Sequence, residues 1–210
     1  MTIRLGYCCI NLSLKDEGIT INRGMIKKTW QEKGIAHASA LALANLNDLL
    51  KILEWNRQND IKVYRMSSDI FPWMSEYNIT DLPDFYEIAA VATKVGQFVS
   101  QNDMRISFHP GQFDVLASPS DSIVEKTIWD LDQHSNIMNL MGLPKDYRSP
   151  INIHIGGSYG DKESALTRFC ENFKRLAPHT QARLVVENDD KASQYSVKDL
   201  YDGVYKVVGC

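Results

Sequence analysis

Long apolar runs are missing from this 210-residue chain, and none of its uncharged apolar stretches approaches the length of a membrane-spanning helix, which is about 20 residues. The opening Met1-Thr2-Ile3-Arg4 also lacks the apolar run of a secretory signal, so the expected location is intracellular, cytoplasmic in a bacterium, with no membrane partner. Cysteine is sparse. Cys8, Cys9, Cys170 and Cys210 form an adjacent pair and two singles without a CxxC spacing, which argues against a thiolate zinc site and for reduced, structural thiols. No charge of one sign dominates: 23 Lys and Arg stand against 26 Asp and Glu. Any nucleic-acid binding would therefore need a local patch or bound cations. With 44% hydrophobic and 23% charged residues the chain has the balance of an ordinary folded domain, which excludes disorder.

What is present is alternation. Apolar or β-branched stretches at Ile3–Cys9, Lys62–Met66, Met104–Phe108, Ile151–Ile155 and Arg183–Glu187 are each followed by a turn-rich segment, as strands are. Between them lie helical patterns: Leu46, Leu49, Leu50 and Leu53; Ile88, Val91, Ala92, Val95 and Phe98; Ile128, Leu131, Ile137 and Leu140; Leu166, Phe169, Phe173 and Leu176, with apolar residues three or four apart. Asp121 or Ser122 and Asp161 stand where helix caps belong, and a last helical stretch runs from Ser196 to Val207. Five βα units with no hairpin signal predict an α/β fold with a parallel sheet. An open doubly wound sheet would suit the order too, but Gly6-Tyr7-Cys8-Cys9 stands where a GxGxxG turn would be. The expected architecture is a TIM-barrel type (β/α) fold in a single, partial domain spanning residues 1–210, with five of the eight βα units, since a complete barrel takes about 250 residues.

Catalytic groups of such folds stand at the carboxyl ends of the strands. Three strand candidates end in metal-ligand residue types: Ser107-Phe108-His109-Pro110-Gly111, Asn152-Ile153-His154-Ile155-Gly156-Gly157 and Val185-Val186-Glu187-Asn188-Asp189. Two imidazoles and a carboxylate suit a borderline divalent ion, manganese or zinc, which would activate water and stabilise charge on a phosphoryl or carbonyl oxygen. His109, His154 and Glu187 are thus the candidate catalytic and metal residues, and Asp69, at the matching place after the second strand, is a further candidate ligand. His134 falls mid-helix, and His37 and His179 flank helix ends; these three are set aside. Gln112 and Phe113 put an amide and an aromatic ring beside His109, the types with which base-displacing proteins fill a gap and read exposed edges; the alternative is that Phe113 simply packs the loop. Tyr7 and Asn11 would flank the same opening. Arg23, Lys27, Lys28 and Lys33, with Lys15, form a basic cluster in the long first connection that could meet phosphates.

Taken together, Arg4-Leu5-Gly6-Tyr7 with Asn11-Leu12, the segment from Ser107 to Phe113, His154-Ile155-Gly156-Gly157-Ser158-Tyr159-Gly160 and Glu187-Asn188-Asp189 resemble the ultraviolet-damage endonucleases. The resemblance implies a metal-dependent DNA repair enzyme that nicks double-stranded DNA on the 5′ side of ultraviolet photoproducts, with divalent ions, usually manganese, as cofactors. It implies His109, His154 and Glu187 as metal ligands, Gln112 and Phe113 as the pair probing the gap left by a flipped lesion, and Tyr7 and Asn11 as lesion-pocket residues. The family usually has Tyr where Phe113 stands, and it continues through further strands and ligands beyond those matched here, so the match is to its amino-terminal two-thirds. Two rival readings are a metal-dependent sugar isomerase or epimerase, which would need no protruding Gln-Phe pair, and a catalytically incomplete DNA-binding fragment.

Overall fold

A computed structural model describes residues 3–191 and 193–210. All five strands form, each inside its expected stretch and shorter than it: β1 Gly6–Cys8, β2 Val63–Met66, β3 Arg105–Phe108, β4 Ile151–Ile153 and β5 Leu184–Val186. They make one sheet in the order β1-β2-β3-β4-β5. Pairing is parallel, with Gly6 beside Val63, Val63 beside Arg105, and Ile151 beside Leu184. The first strand is shorter than its sequence pattern suggested. Ile3 and Leu5 are exposed, and Cys9 leaves the strand with φ +59°.

The long first connection becomes α1 (Leu12–Lys15) and α2 (Lys27–Gln58). Helix α2 reaches back well before the Leu46–Leu53 pattern and is kinked at Gly34, whose φ of +58° no right-handed helix contains. Further helices are α3 (Phe85–Gln101), α4 (Asp121–Leu140), α5 (Lys162–Phe173), α6 (Pro178–Gln181) and α7 (Val197–Leu200), with a last α-helical turn at Lys206–Val208. As the sequence indicated, α4 opens on Asp121 and Asp161 caps α5 by accepting from the Glu163 and Ser164 amides. The stretch from Ser196 is less regular than expected. Its capping box with Asp199 starts α7, but a π-helical turn over Tyr201–Tyr205 follows it.

Packing divides the chain into two compact units, one of the residues up to His109 with Asn136–Leu143, the other of Pro110–Ser135 with Pro144–Cys210. In the first, Ala38, Ala42, Leu46, Leu49 and Leu53 of α2 are fully buried, as are Ile88, Ala92 and Val95 of α3 and Tyr64 and Met66 of β2. Each large apolar side chain there contributes about 1.5–3 kcal/mol. The basic cluster is partly taken up by this unit: Arg23 bonds Asp48 and the Thr20 and Gly18 carbonyls, so it fastens the connection instead of waiting for phosphate. In the second unit Ile151, Ile153, Ile155, Phe169, Leu184 and Val204 form the core. All four cysteines are free thiols. Among the described residues no helix is long and apolar enough to cross a membrane.

Candidate metal and DNA-contact site

Strand β4 ends at Ile153 and β5 at Val186, so His154 and Glu187 are the first residues past the ladder. The Glu187 amide donates to the Ile153 carbonyl at 3.0 Å, which keeps both residues in register. Their side chains meet: His154 Nε2 is 3.3 Å from Glu187 Oε1. On the other side of the ring, His154 Nδ1 is 3.3 Å from Asp189 Oδ1. Asn152, two residues back on the same face of β4, donates to Glu187 Oε2 at 3.5 Å. His109 is likewise the first residue past β3. His109, His154 and Glu187 each offer a ligand atom, and these atoms lie within 4.8 Å of one another, a candidate metal-binding cluster of half-buried side chains.

The donor set fits a divalent ion. Imidazole nitrogen and carboxylate oxygen bind zinc-like ions at about 2.0–2.2 Å, so two ligands of one ion stand about 3.0–3.5 Å apart, and the His154–Glu187 separation of 3.3 Å falls there. Asp189, 3.3 Å from the far ring nitrogen, stands where metal-binding imidazoles usually have an outer carboxylate partner. Sequence reasoning gave Asp189 no role. The signal was available: Glu187 and Asp189 are two apart, hence on one side of an extended chain.

The loop after β3 is built to present its tip. Phe113 is 81% exposed and Gln112 is exposed beside it, so Phe113 does not pack the core. Behind the tip the loop is tied down: the Val115 amide donates to Thr127 Oγ1 at 3.1 Å, while the Leu116 and Ala117 carbonyls accept from Asn172 and Arg168 at 2.8 and 2.9 Å. Gly156 makes this approach feasible, because its φ is +94° and a Cβ there would stand 2.6 Å from Val115 Cγ1. The glycine of one motif thus admits the valine that follows the other. In Asp114, the next residue, burial, with the charge of Asp130 of α4 adding to it, raises the carboxyl to about 8. His134, set aside on sequence, is buried with Nδ1 3.2 Å from Asp130 Oδ2. Burial lowers its proton affinity, but the Asp130 contacts outweigh that and the net shift is upward.

The other expected residues stand differently. Tyr7 donates to Asn56 Oδ1 at 2.7 Å and accepts from Asn11 Nδ2 at 2.8 Å. Asn11 is buried and caps α1, its Oδ1 accepting from the Leu14 amide. Asp69 is exposed in a 3-10 turn, Ser68–Ile70, that Ser67 caps, and it is not in the cluster of His109, His154 and Glu187. His179 bonds Ser135 Oγ at 2.7 Å, and burial lowers its pKa.

Parallel strands in sequential order, with imidazoles and a carboxylate just beyond their carboxyl ends, define a TIM-barrel-type α/β protein with a candidate metal site. The chain belongs to the UV-endonuclease UvdE family, whose model matches residues 3–204. It is 34% identical over 200 residues to the UV DNA damage endonuclease of Clostridium perfringens, which covers 95% of this chain and 46% of that protein. With the UV-damage endonuclease of Schizosaccharomyces pombe it shares 35% over 201 residues, 94% of this chain and 33% of that protein. The crystal structure of SacUVDE superposes with a TM-score of 0.84 at 33% identity, covering 98% of this chain and 67% of that one. The chain therefore spans about half or less of the length of these two curated relatives.

Proposed function

We propose that the protein carrying this chain is a DNA repair endonuclease that binds double-stranded DNA at ultraviolet photoproducts and cuts the phosphodiester on their 5′ side. The observation that carries the reading is the convergence of His109, His154 and Glu187 in a chain matched over residues 3–204 by the UvdE family. His109, His154 and Glu187 hold divalent metal, manganese by preference, and Asp189 orients His154. A divalent ion there supplies Lewis acidity and positive charge at a phosphate. Gln112 and Phe113 enter the gap left by the displaced lesion, the ring stacking on unpaired bases and the amide reading their edges. Tyr7, its hydroxyl fixed between Asn11 and Asn56, offers a ring of set orientation to the lesion, and Asn11 acts through Tyr7. An exposed Phe113 also favours DNA over a small sugar, which a closed pocket would hold.

The test is nicking of irradiated and unirradiated supercoiled plasmid by the protein carrying this chain, with manganese supplied, alongside His109→Ala. Damage-dependent nicking lost in the variant is the expected result. Metal binding without damage-dependent nicking or lesion binding would overturn the reading in favour of another barrel chemistry.

A further inference from the structure

We propose that Cys8 and Cys9 form a vicinal dithiol site for a trivalent arsenical, a soft ligand that takes two thiol sulfurs. The sequence suggests structural thiols throughout, but this pair is not packed away: both are free, Cys8 exposed and Cys9 half-buried. Adjacency alone does not bring two thiols together, because successive side chains of a strand point to opposite faces. Cys8 is the last residue of β1, beside Arg65 of β2, and at Cys9 the alternation ends. The φ of Cys9 is +59°, about 180° away from the value of about −120° in a parallel strand. A rotation of that size about the N–Cα bond carries the Cys9 Cβ from the opposite face to the one that Cys8 occupies.

The turn that does this is held in place by hydrogen bonds. The Ile10 amide donates to the Cys8 carbonyl at 2.8 Å, and such a bond across one residue at positive φ makes the rare, strained form of the γ-turn. The Cys9 amide donates to the Arg65 carbonyl and the Tyr64 hydroxyl to the Cys9 carbonyl, each at 2.8 Å. Backbone strain over-determined by its surroundings in this way clusters at sites of function.

The donor set selects the ligand. Neither thiol belongs to the set of three ligand side chains found among the described residues, so the pair is not part of a zinc cage, which takes four ligands. Two sulfurs suit a soft centre, and trivalent arsenic bearing one organic group has two exchangeable positions. Capture is a condensation: two As–S bonds form, the arsenic–oxygen bonding is lost, and the oxygen leaves as water with both thiol protons. Nothing is oxidised or reduced. The pair lies between Tyr7 and Asn11, which are themselves hydrogen-bonded at 2.8 Å, so closing a ring over the turn also restrains these two. Any consequence for DNA rests on the lesion role proposed for them above; the binding does not.

The experiment is intact-mass measurement of the full chain after treatment with one equivalent of phenylarsine oxide in excess 2-mercaptoethanol, which strips arsenic from single thiols. Wild type and Cys210→Ser should each keep one adduct, released by ethanedithiol, while Cys8→Ser and Cys9→Ser should keep none. The hexapeptide of residues 6–11, which has both thiols without the fold, should hold the arsenical about tenfold less tightly, as expected when a site is preorganised. No adduct on the wild type, an adduct that survives Cys8→Ser, or equal affinity in the peptide would overturn the site. Loaded wild type should also bind irradiated duplex more weakly than Cys8→Ser treated alike. An adduct without that loss would uphold the site and count against the lesion role of Tyr7 and Asn11.

Discussion

Strands β4 and β5 have two ends with opposite chemistry. At the amino end Arg183, 0% exposed, sits just before Leu184. Its guanidinium donates to the Ser135 carbonyl and hydroxyl at 3.2 and 2.8 Å and to the Pro144 carbonyl at 3.1 Å. Burial pulls its pKa down to about 10, which leaves it charged at neutral pH. Beside it, Thr180 and the Ala177 amide both donate to Asp132. At the carboxyl end the same strands collect an imidazole between two carboxylates, with His154 and Glu187 each 36% exposed. One end matches donors to acceptors largely out of water. The other gathers negative charge and imidazole nitrogen where a cation and a phosphate can arrive. Such a division of stability and chemistry between the two faces is what parallel barrels show generally.

The largest effect that would sharpen this comparison is at the amino end. Arg183→Leu should cost about 3–5 kcal/mol, because it strands several buried acceptors at once. Urea unfolding would measure it, and manganese affinity of the folded fraction should stay as in the wild type. A stability loss below about 1 kcal/mol would show that the buried guanidinium is not what holds this end.

At the carboxyl end the pattern should invert. His154→Ala should weaken manganese binding by about 100-fold or more while leaving metal-free stability almost unchanged, and Asp189→Asn should weaken it by about 10–100-fold through the orientation of the ring. Electron paramagnetic resonance titration reads both. Equal affinities for wild type and His154→Ala would remove the metal from this end altogether. A smaller effect is expected beyond it, at the tip of the loop: replacing Gln112 and Phe113 together by Ala should weaken binding to irradiated duplex by about 1–3 kcal/mol per base no longer stacked. Undamaged duplex offers no gap and should bind nearly as before, so equal losses on both DNAs would make the pair a general backbone contact.

Which of these features the sequence could announce depends on the range of the interaction behind them. Strand order and the three strand-end residues were legible because β alternation and turn residues are local signals, and His109, His154 and Glu187 occupy equivalent places in them. Strand ends were not, since a ladder stops where its neighbour stops, as at Gly6, and that is a property of two segments. The kink at Gly34 and the reach of α2 back to Lys27 carried no apolar periodicity to read. The pairing of His134 with Asp130 was not read either, since a mid-helix His shows its partner only once the helix has formed. Arg183 was read only as the start of a strand stretch for the same reason: its acceptors are 48 and 39 residues away in the chain.

Asp69 provides the finest test, because it too follows a strand, but as the third residue past β2, whereas Glu187 is the first past β5. Its own amide donates to Ser67 Oγ, and its carbonyl and that of Ile70 accept from Asn45 Nδ2 at 3.5 and 3.1 Å. The backbone of this residue is therefore fixed by the turn while its side chain is exposed in the first turn of a short 3-10 helix, the usual place for an Asp whose work is local. Asp69→Asn keeps the size and hydrogen-bonding reach of that side chain and removes only its charge. Manganese affinity should then match the wild type within measurement error, and unfolding should shift by no more than about 0.5 kcal/mol, as for surface substitutions generally. A loss of affinity on the scale expected for Asp189→Asn would bring the end of β2 into the metal site and extend the charged face beyond β4 and β5.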